Sequence, residues 1–207
     1  MIAAAHKEVA FIALLAGLGQ PGDELLEEQG YLIGKSQGLS EDVLRRNRMA
    51  ASTVYGIVKT HYGDTPKIRE EITAYLKETL AENTDLIPTG LTIDDVIKQQ
   101  LDTVTTDWFQ YLINTDPRPT LEQVNCPVLA INGSLDLQVP PKQNLENIAV
   151  ALKKGNNNNV TIVEIPNLNH LFQTAETGSP SDYATIEETF SPEALKVIGN
   201  WIGKITQ

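Results

Sequence analysis

Three short apolar runs, separated by helical patterns, constrain the fold of this chain more than any other feature. They are residues 9–16, residues 128–131 and Val160–Ile165. The first two are apolar almost throughout, as strands are when helices cover both faces of a parallel sheet. The third alternates more, which favours a position near the sheet edge. The pattern predicts an α/β fold with about three parallel strands and flanking helices.

The helical patterns divide the chain. Residues 142–154 carry apolar side chains along one face, and Ser191 is the predicted N-cap of the last helix. Between the first two runs, residues 23–116 contain several helical patterns and no strand pattern. We therefore predict a sheet-containing core, residues 1–22 and 117–207, with an inserted helical cap, residues 23–116.

Composition excludes several classes of function. The 207 residues carry a formal net charge of −11, which argues against a nucleic-acid surface and against binding to an anionic membrane. Cys126 is the only cysteine, and three widely spaced histidines have no zinc-site spacing. No phosphate loop or dinucleotide motif occurs. We therefore expect no metal and no cofactor, and composition does not indicate a cellular compartment.

The first apolar run has two interpretations. Residues 10–18 follow Lys7 and have the apolar character of a signal peptide, but Glu8 precedes them and no strongly basic segment does. A strand ending near Gly17 explains the same residues. We favour the strand.

Two chemically capable side chains follow the second and third runs. Asp136 comes after residues 128–131, and His170 comes after Val160–Ile165. In open α/β sheets, functional residues lie beyond the carboxyl ends of strands, so these two side chains are predicted to meet on adjacent loops. The carboxylate would orient the imidazole and stabilise its protonated form. Taken singly, Asp136 is explained as a turn residue and His170 as a hydrogen-bonded loop residue.

These segments resemble a known superfamily. Residues 126–140, with Gly133 and Asp136, resemble the acid loop of the α/β-hydrolases, and His170 after Pro166 resembles their histidine loop. The order of acid before histidine is also theirs. The chain would then be the C-terminal part of an α/β-hydrolase fold.

The likeness extends to bacterial serine hydrolases with a helical cap, of the esterase or acyl-peptidase type. The tail 172–202, with Gly-Ser-Pro at 178–180 and Phe-Ser-Pro-Glu at 190–193, is similar to theirs. The resemblance implies a cofactor-independent hydrolase of ester, thioester or peptide bonds. In it His170 would be the general base and Asp136 would orient it.

A nucleophile is missing from this pattern. The motif G-x-S-x-G is expected one helix before the first run, hence just before residue 1, so we expect an N-terminally truncated and inactive chain. Residues 34–38 match the motif as a string around Ser36, but helical sequence precedes them and the cap is their expected place. Ser36 is therefore not predicted to be the nucleophile, and no residue of this chain is assigned that role.

Two alternatives remain open. One is an α/β-hydrolase with an aspartate nucleophile, such as a dehalogenase or an epoxide hydrolase. The other is a non-catalytic fragment or interaction module. For the full-length protein we expect a small-molecule ester or peptide substrate. An unprotected strand edge at residues 9–16 predicts a homo-oligomer.

Overall fold

A computed structural model describes residues 2–207, and within them it contains three strands and nine α-helices. The strands are β1 (Ile12–Leu15), β2 (Val128–Gly133) and β3 (Val160–Ile165). The helices are α1 (Ile2–Ala5), α2 (Gly22–Ser36), α3 (Glu41–Thr60), α4 (Thr65–Glu82), α5 (Ile93–Val104), α6 (Asp107–Ile113), α7 (Arg118–Leu121), α8 (Pro141–Lys154) and α9 (Pro192–Ile205). Two short 3₁₀ helices cover Thr84–Leu86 and Pro180–Thr185.

The strands form one parallel sheet in the order β1-β2-β3. The predicted α/β class, with three parallel strands and flanking helices, is therefore confirmed. β3 has the predicted bounds and lies at a sheet edge, as its alternating pattern indicated. β2 is buried along its whole length, because helices cover both of its faces.

β1 is shorter than predicted. The apolar run covers residues 9–16, whereas the strand covers only Ile12–Leu15. Ala16 has a φ of 47°, a left-handed conformation that does not continue a strand. The prediction of a strand buried on both faces was also wrong, since Leu15 is 45% exposed. Among the described residues β1 is an edge strand, and its residues are more exposed to solvent than those of β2.

Helices pack on both faces of the sheet. On one face, Leu129 and Ile131 of β2 share a core with Trp201 of α9. The Trp201 ring packs edge-to-face on Phe11 at 5.6 Å between centroids, and its Nε1 donates to Thr161 Oγ1 at 3.1 Å. On the other face, alternate β2 residues pack against α8. Burial of each large apolar side chain contributes about 1.5–3 kcal/mol, so the two helices fix the sheet and its loops.

The chain forms two compact units. One comprises residues 2–37 and Asp116–Gln207 and contains the sheet, and the other is Gly38–Thr115. The second unit differs from the predicted cap, residues 23–116, because α2 belongs to the sheet unit. Leu25 of α2 is only 3% exposed and lies in the core of that unit.

Four helices of the helical unit begin at residues whose side chains cap them. Ser40, Asp64, Thr92 and Thr106 cap α3, α4, α5 and α6, each accepting a backbone N–H with its side chain. Thr92 and Asp95 form a reciprocal capping box. None of the helices within residues 2–207 is both long and apolar enough to span a membrane.

Self-association through β1 stays a prediction. In a parallel pair, alternate residues face away from the neighbouring strand, which leaves the Ala13 and Leu15 backbone groups on the open side of β1. We expect a dimer or larger species at micromolar concentration. Light scattering coupled to gel filtration measures the mass, and Leu15→Lys, which places a charge at this edge, should shift the protein toward monomer. A monomer in both proteins would contradict the prediction.

Candidate active site

Asp136 lies on the loop that follows β2, with its side chain fully buried. Its Oδ1 accepts the backbone N–H groups of Gln138 at 2.9 Å and Val139 at 2.8 Å. Its Oδ2 faces His170 Nδ1 at 2.9 Å and Asn132 Nδ2 at 3.4 Å. An ionised carboxylate only accepts hydrogen bonds, and each of these neighbours is a donor or can be one. The loop therefore holds an aspartate with one oxygen anchored to backbone and the other directed at the histidine.

His170 meets Asp136 as the two strand-end loops predict. The distance of 2.9 Å between His170 Nδ1 and Asp136 Oδ2 lies in the range of a good hydrogen bond. An ionised carboxylate can only accept this bond, which makes Nδ1 the donor; in a neutral imidazole Nε2 then keeps its lone pair. The side chain is 27% exposed, and within residues 2–207 no hydrogen bond occupies Nε2. The imidazole is thus oriented on one side and available on the other.

Backbone contacts join the acid loop to the histidine loop. Leu135 N–H donates to the Leu168 carbonyl oxygen at 2.9 Å, and Asn167 N–H donates to Ser134 Oγ at 2.9 Å. Gly133, at the end of β2, leaves no room for a side chain: a Cβ there would lie 2.1 Å from the Leu168 oxygen. These contacts tie the two loops together and hold Asp136 and His170 in place. Ser134 thus links the two loops through its hydroxyl.

Asn169, which precedes His170, organises the histidine loop. It is fully buried, and its Oδ1 accepts the backbone N–H groups of Leu171 and Gln173, each at 3.0 Å. Its Nδ2 donates to Gln173 Oε1 at 2.9 Å, and its backbone N–H donates to the Gln173 carbonyl. Phe172 then takes a left-handed φ of 58° and stacks on Phe190 at 5.3 Å. This network closes a tight turn with His170 inside it.

Sequence reasoning missed four residues of this site. They are Asn132, Gln138, Asn169 and Tyr183. Asn132 Nδ2 donates to the Val139 carbonyl at 2.9 Å, a bond that connects the end of β2 to the acid loop. Gln138 Nε2 donates to Tyr183 Oη at 2.9 Å. Asn169 alone had a signal in the sequence, since Asn before a turn often bonds to backbone two residues on.

Burial and neighbouring groups shift the pKa of the Tyr183 phenol. Burial raises the pKa of Tyr183 above its ordinary value, and the Gln138 hydrogen bond opposes that rise. The negative charge of Asp136 also raises the Tyr183 pKa, and the His170 backbone N–H lowers it. A phenol with a raised pKa is neutral near pH 7. Tyr183 therefore brings a neutral hydroxyl to the Asp136–His170 pair.

Ser36 lies elsewhere than expected. The serine of the G-x-S-x-G string was expected in the helical cap, but it is the last residue of α2 and belongs to the sheet unit. Residues 31–33 are helical, so no strand precedes it. Its Oγ donates to the Ile33 carbonyl at 2.7 Å and lies 3.5 Å from Ser179 Oγ. The structure records no hydrogen bond between Ser36 and His170.

The other histidines pair with single glutamates. His6 Nδ1 lies 3.1 Å from Glu8, and His61 Nε2 lies 3.1 Å from Glu71. Among residues 2–207, no group of three or more His, Cys, Asp or Glu side chains is arranged to hold a metal ion.

The structure is similar to two solved proteins. One is BpoC of Mycobacterium tuberculosis H37Rv, described as a non-heme bromoperoxidase: identity is 16% and the TM-score is 0.39, over 99% of this chain and 61% of the other. The second is a variant of esterase E22, with 15% identity and a TM-score of 0.37, over 87% of this chain and 54% of the other. The chain thus spans less than two thirds of either protein. No family model matches the sequence, and no curated protein does.

Proposed function

We propose that this chain carries the acid and the base of an α/β-hydrolase that cleaves ester, thioester or peptide bonds by acyl transfer. The observation that carries the proposal is the hydrogen bond of 2.9 Å between buried Asp136 and His170, on the loops that follow two adjacent parallel strands. The resemblance of both loops to those of the superfamily supports the same assignment.

The tautomer of His170 determines which of its nitrogens acts as the base. With its proton on Nδ1, His170 presents a basic Nε2 that can take the proton of a nucleophilic hydroxyl as the hydroxyl attacks a carbonyl carbon. The imidazolium formed at that moment is stabilised by the Asp136 carboxylate. His170 then returns the proton to the leaving group, and a second round with water releases the acyl group. Asp136 remains ionised throughout.

The nucleophile in this proposal is a serine outside the 207 residues. In residues 2–207 no hydroxyl, thiol or carboxylate hydrogen-bonds to Nε2, which is where the attacking group must stand. The substrate is a small ester or peptide. No step needs a metal or a cofactor, because the histidine and the carboxylate supply the proton transfers.

The proposal requires a basic Nε2 on His170, and the reactivity of that nitrogen can be measured. In Asp136→Asn, the Asn Oδ1 is needed as the acceptor for the Gln138 and Val139 N–H groups, so its NH₂ faces His170. That group donates to Nδ1 and forces the imidazole proton onto Nε2, where it blocks the lone pair. We expect carbethoxylation of His170 by diethyl pyrocarbonate to slow by at least about tenfold.

Peptide mass spectrometry measures this rate for each histidine. His6 and His61 act as internal controls, since neither contacts Asp136, and their rates should not change. Equal rates at His170 in the two proteins would overturn the proposed base. A fluorophosphonate probe addresses the nucleophile: we expect no labelling of the wild type and no ester hydrolysis above background. Labelling that disappears in Ser36→Ala would move the nucleophile to Ser36.

A further inference from the structure

We propose that Tyr183 is a positioning residue, which sets the orientation of the Asp136–His170 pair through the side chain of Gln138. The inference deepens the proposed function, because it concerns the residues that hold the same acid and base. Its evidence lies in the segment that follows the histidine loop, residues 177–185.

This segment returns to the acid loop. Gly178 has a φ of 73° and approaches the acid loop so closely that a Cβ would lie 2.0 Å from the Leu135 carbonyl oxygen. Ser179 is buried at 5% exposure, and the 3₁₀ helix Pro180–Thr185 begins directly after it. The close approach at Gly178 therefore fixes where the helix starts and brings Tyr183 over the acid loop.

Gln138 links Tyr183 to the carboxylate. Its backbone N–H donates to Asp136 Oδ1 at 2.9 Å, while its side-chain Nε2 donates to Tyr183 Oη at 2.9 Å. Its carbonyl accepts a longer bond, 3.4 Å, from Gln29 Nε2. Side chain, N–H and carbonyl of one residue are thus all engaged. Release of the Tyr183 bond frees the Gln138 side chain, and the N–H that anchors Oδ1 becomes less constrained.

Tyr183 also lies close to the second member of the pair. The His170 backbone N–H and the Asp136 charge both act on the pKa of its phenol, in opposite directions. The hydroxyl is therefore within electrostatic reach of both loops. Because the ring provides packing independently of the hydroxyl, Tyr183→Phe removes the polar link and keeps most of the shape.

Exchange of the His170 Nδ1 proton with solvent measures how firmly the pair is held. We expect about tenfold faster exchange in Tyr183→Phe, as for loss of one hydrogen-bonded constraint. Gln138→Met, which keeps the backbone N–H and removes the side-chain donor, should give the same increase. The double variant should be no faster than either single variant, because both changes break one link. Tyr62→Phe, at an exposed tyrosine of the helical unit, is the control.

Nuclear magnetic resonance of protein labelled with ¹⁵N-histidine resolves the exchange, and three histidines make assignment by single substitution practical. Wild-type exchange in Tyr183→Phe would overturn the positioning role. So would an equal acceleration of backbone amides throughout the sheet unit, which would indicate general loosening. A wild-type protein without a hydrogen-bonded Nδ1 proton would overturn the proposed function as well, before any variant is made.

Discussion

Replacement of Gly133 by alanine is expected to displace the histidine loop and destabilise the sheet unit by about 3 kcal/mol. The new Cβ would lie 2.1 Å from the Leu168 oxygen and 2.8 Å from the Asn169 oxygen. Both obstacles are backbone, so no side-chain rotation relieves them. The loop must move away, and His170 moves with it.

Urea unfolding measured by the fluorescence of buried Trp201 reports on the sheet unit, in a Trp108→Phe background that removes the other tryptophan. Gly155→Ala is the matched control. Its Cβ would meet the Glu122 carbonyl at 2.0 Å, at the end of α8 and away from the pair.

We expect both glycine variants to lose stability and only Gly133→Ala to lose the Nδ1 hydrogen bond of His170. Retention of that bond in Gly133→Ala, at wild-type stability, would show that the two loops are not coupled as the structure indicates.

Asn169→Ala is expected to cost about 3 kcal/mol and to release His170 from its turn. The change leaves the buried Gln173 N–H and the partly buried Leu171 N–H without their acceptor. It also removes the donor to Gln173 Oε1. An unpaired buried polar group costs about 1–3 kcal/mol, and water that enters the turn offsets part of the sum.

Asn157→Ala provides a control at another buried asparagine that bonds to the backbone. Asn157 is 6% exposed, and its Nδ2 donates to the Val124 and Cys126 carbonyls at 2.9 Å each. Its loss should reduce the urea midpoint by a similar amount while the rate of His170 carbethoxylation stays at the wild-type value. In Asn169→Ala that rate should change as well. If both variants left the histidine unaffected, Asn169 would be a stabilising residue without a role in the site.

Much of the fold was predictable from local pattern. Apolar runs bounded by turn residues located β2 and β3, the apolar face of residues 142–154 located α8, and Ser191 located the start of α9. Such signals depend only on residues that are close in the sequence, so they can be recognised without the tertiary structure. β1 was predicted too long at both ends: residues 9–11 are apolar but lie outside the strand, and Ala16 leaves the β conformation although its side chain is apolar. The assignment of α2 to the sheet unit depends on Leu25 packing in the distant core, and no local pattern carries that information.

The candidate site also has a part that the sequence predicted and a part that it did not. Asp136 and His170 follow strands that pair in parallel, and parallel pairing places the ends of adjacent strands side by side, so their meeting was predictable from order and spacing. The contacts that orient them were not. Gln138 reaches Tyr183 across 45 residues. Gly133 faces the Leu168 carbonyl only because the two loops cross. Hydrogen bonds and close approaches of this kind depend on distances of a few tenths of an ångström, which arise only when the packed core fixes both loops.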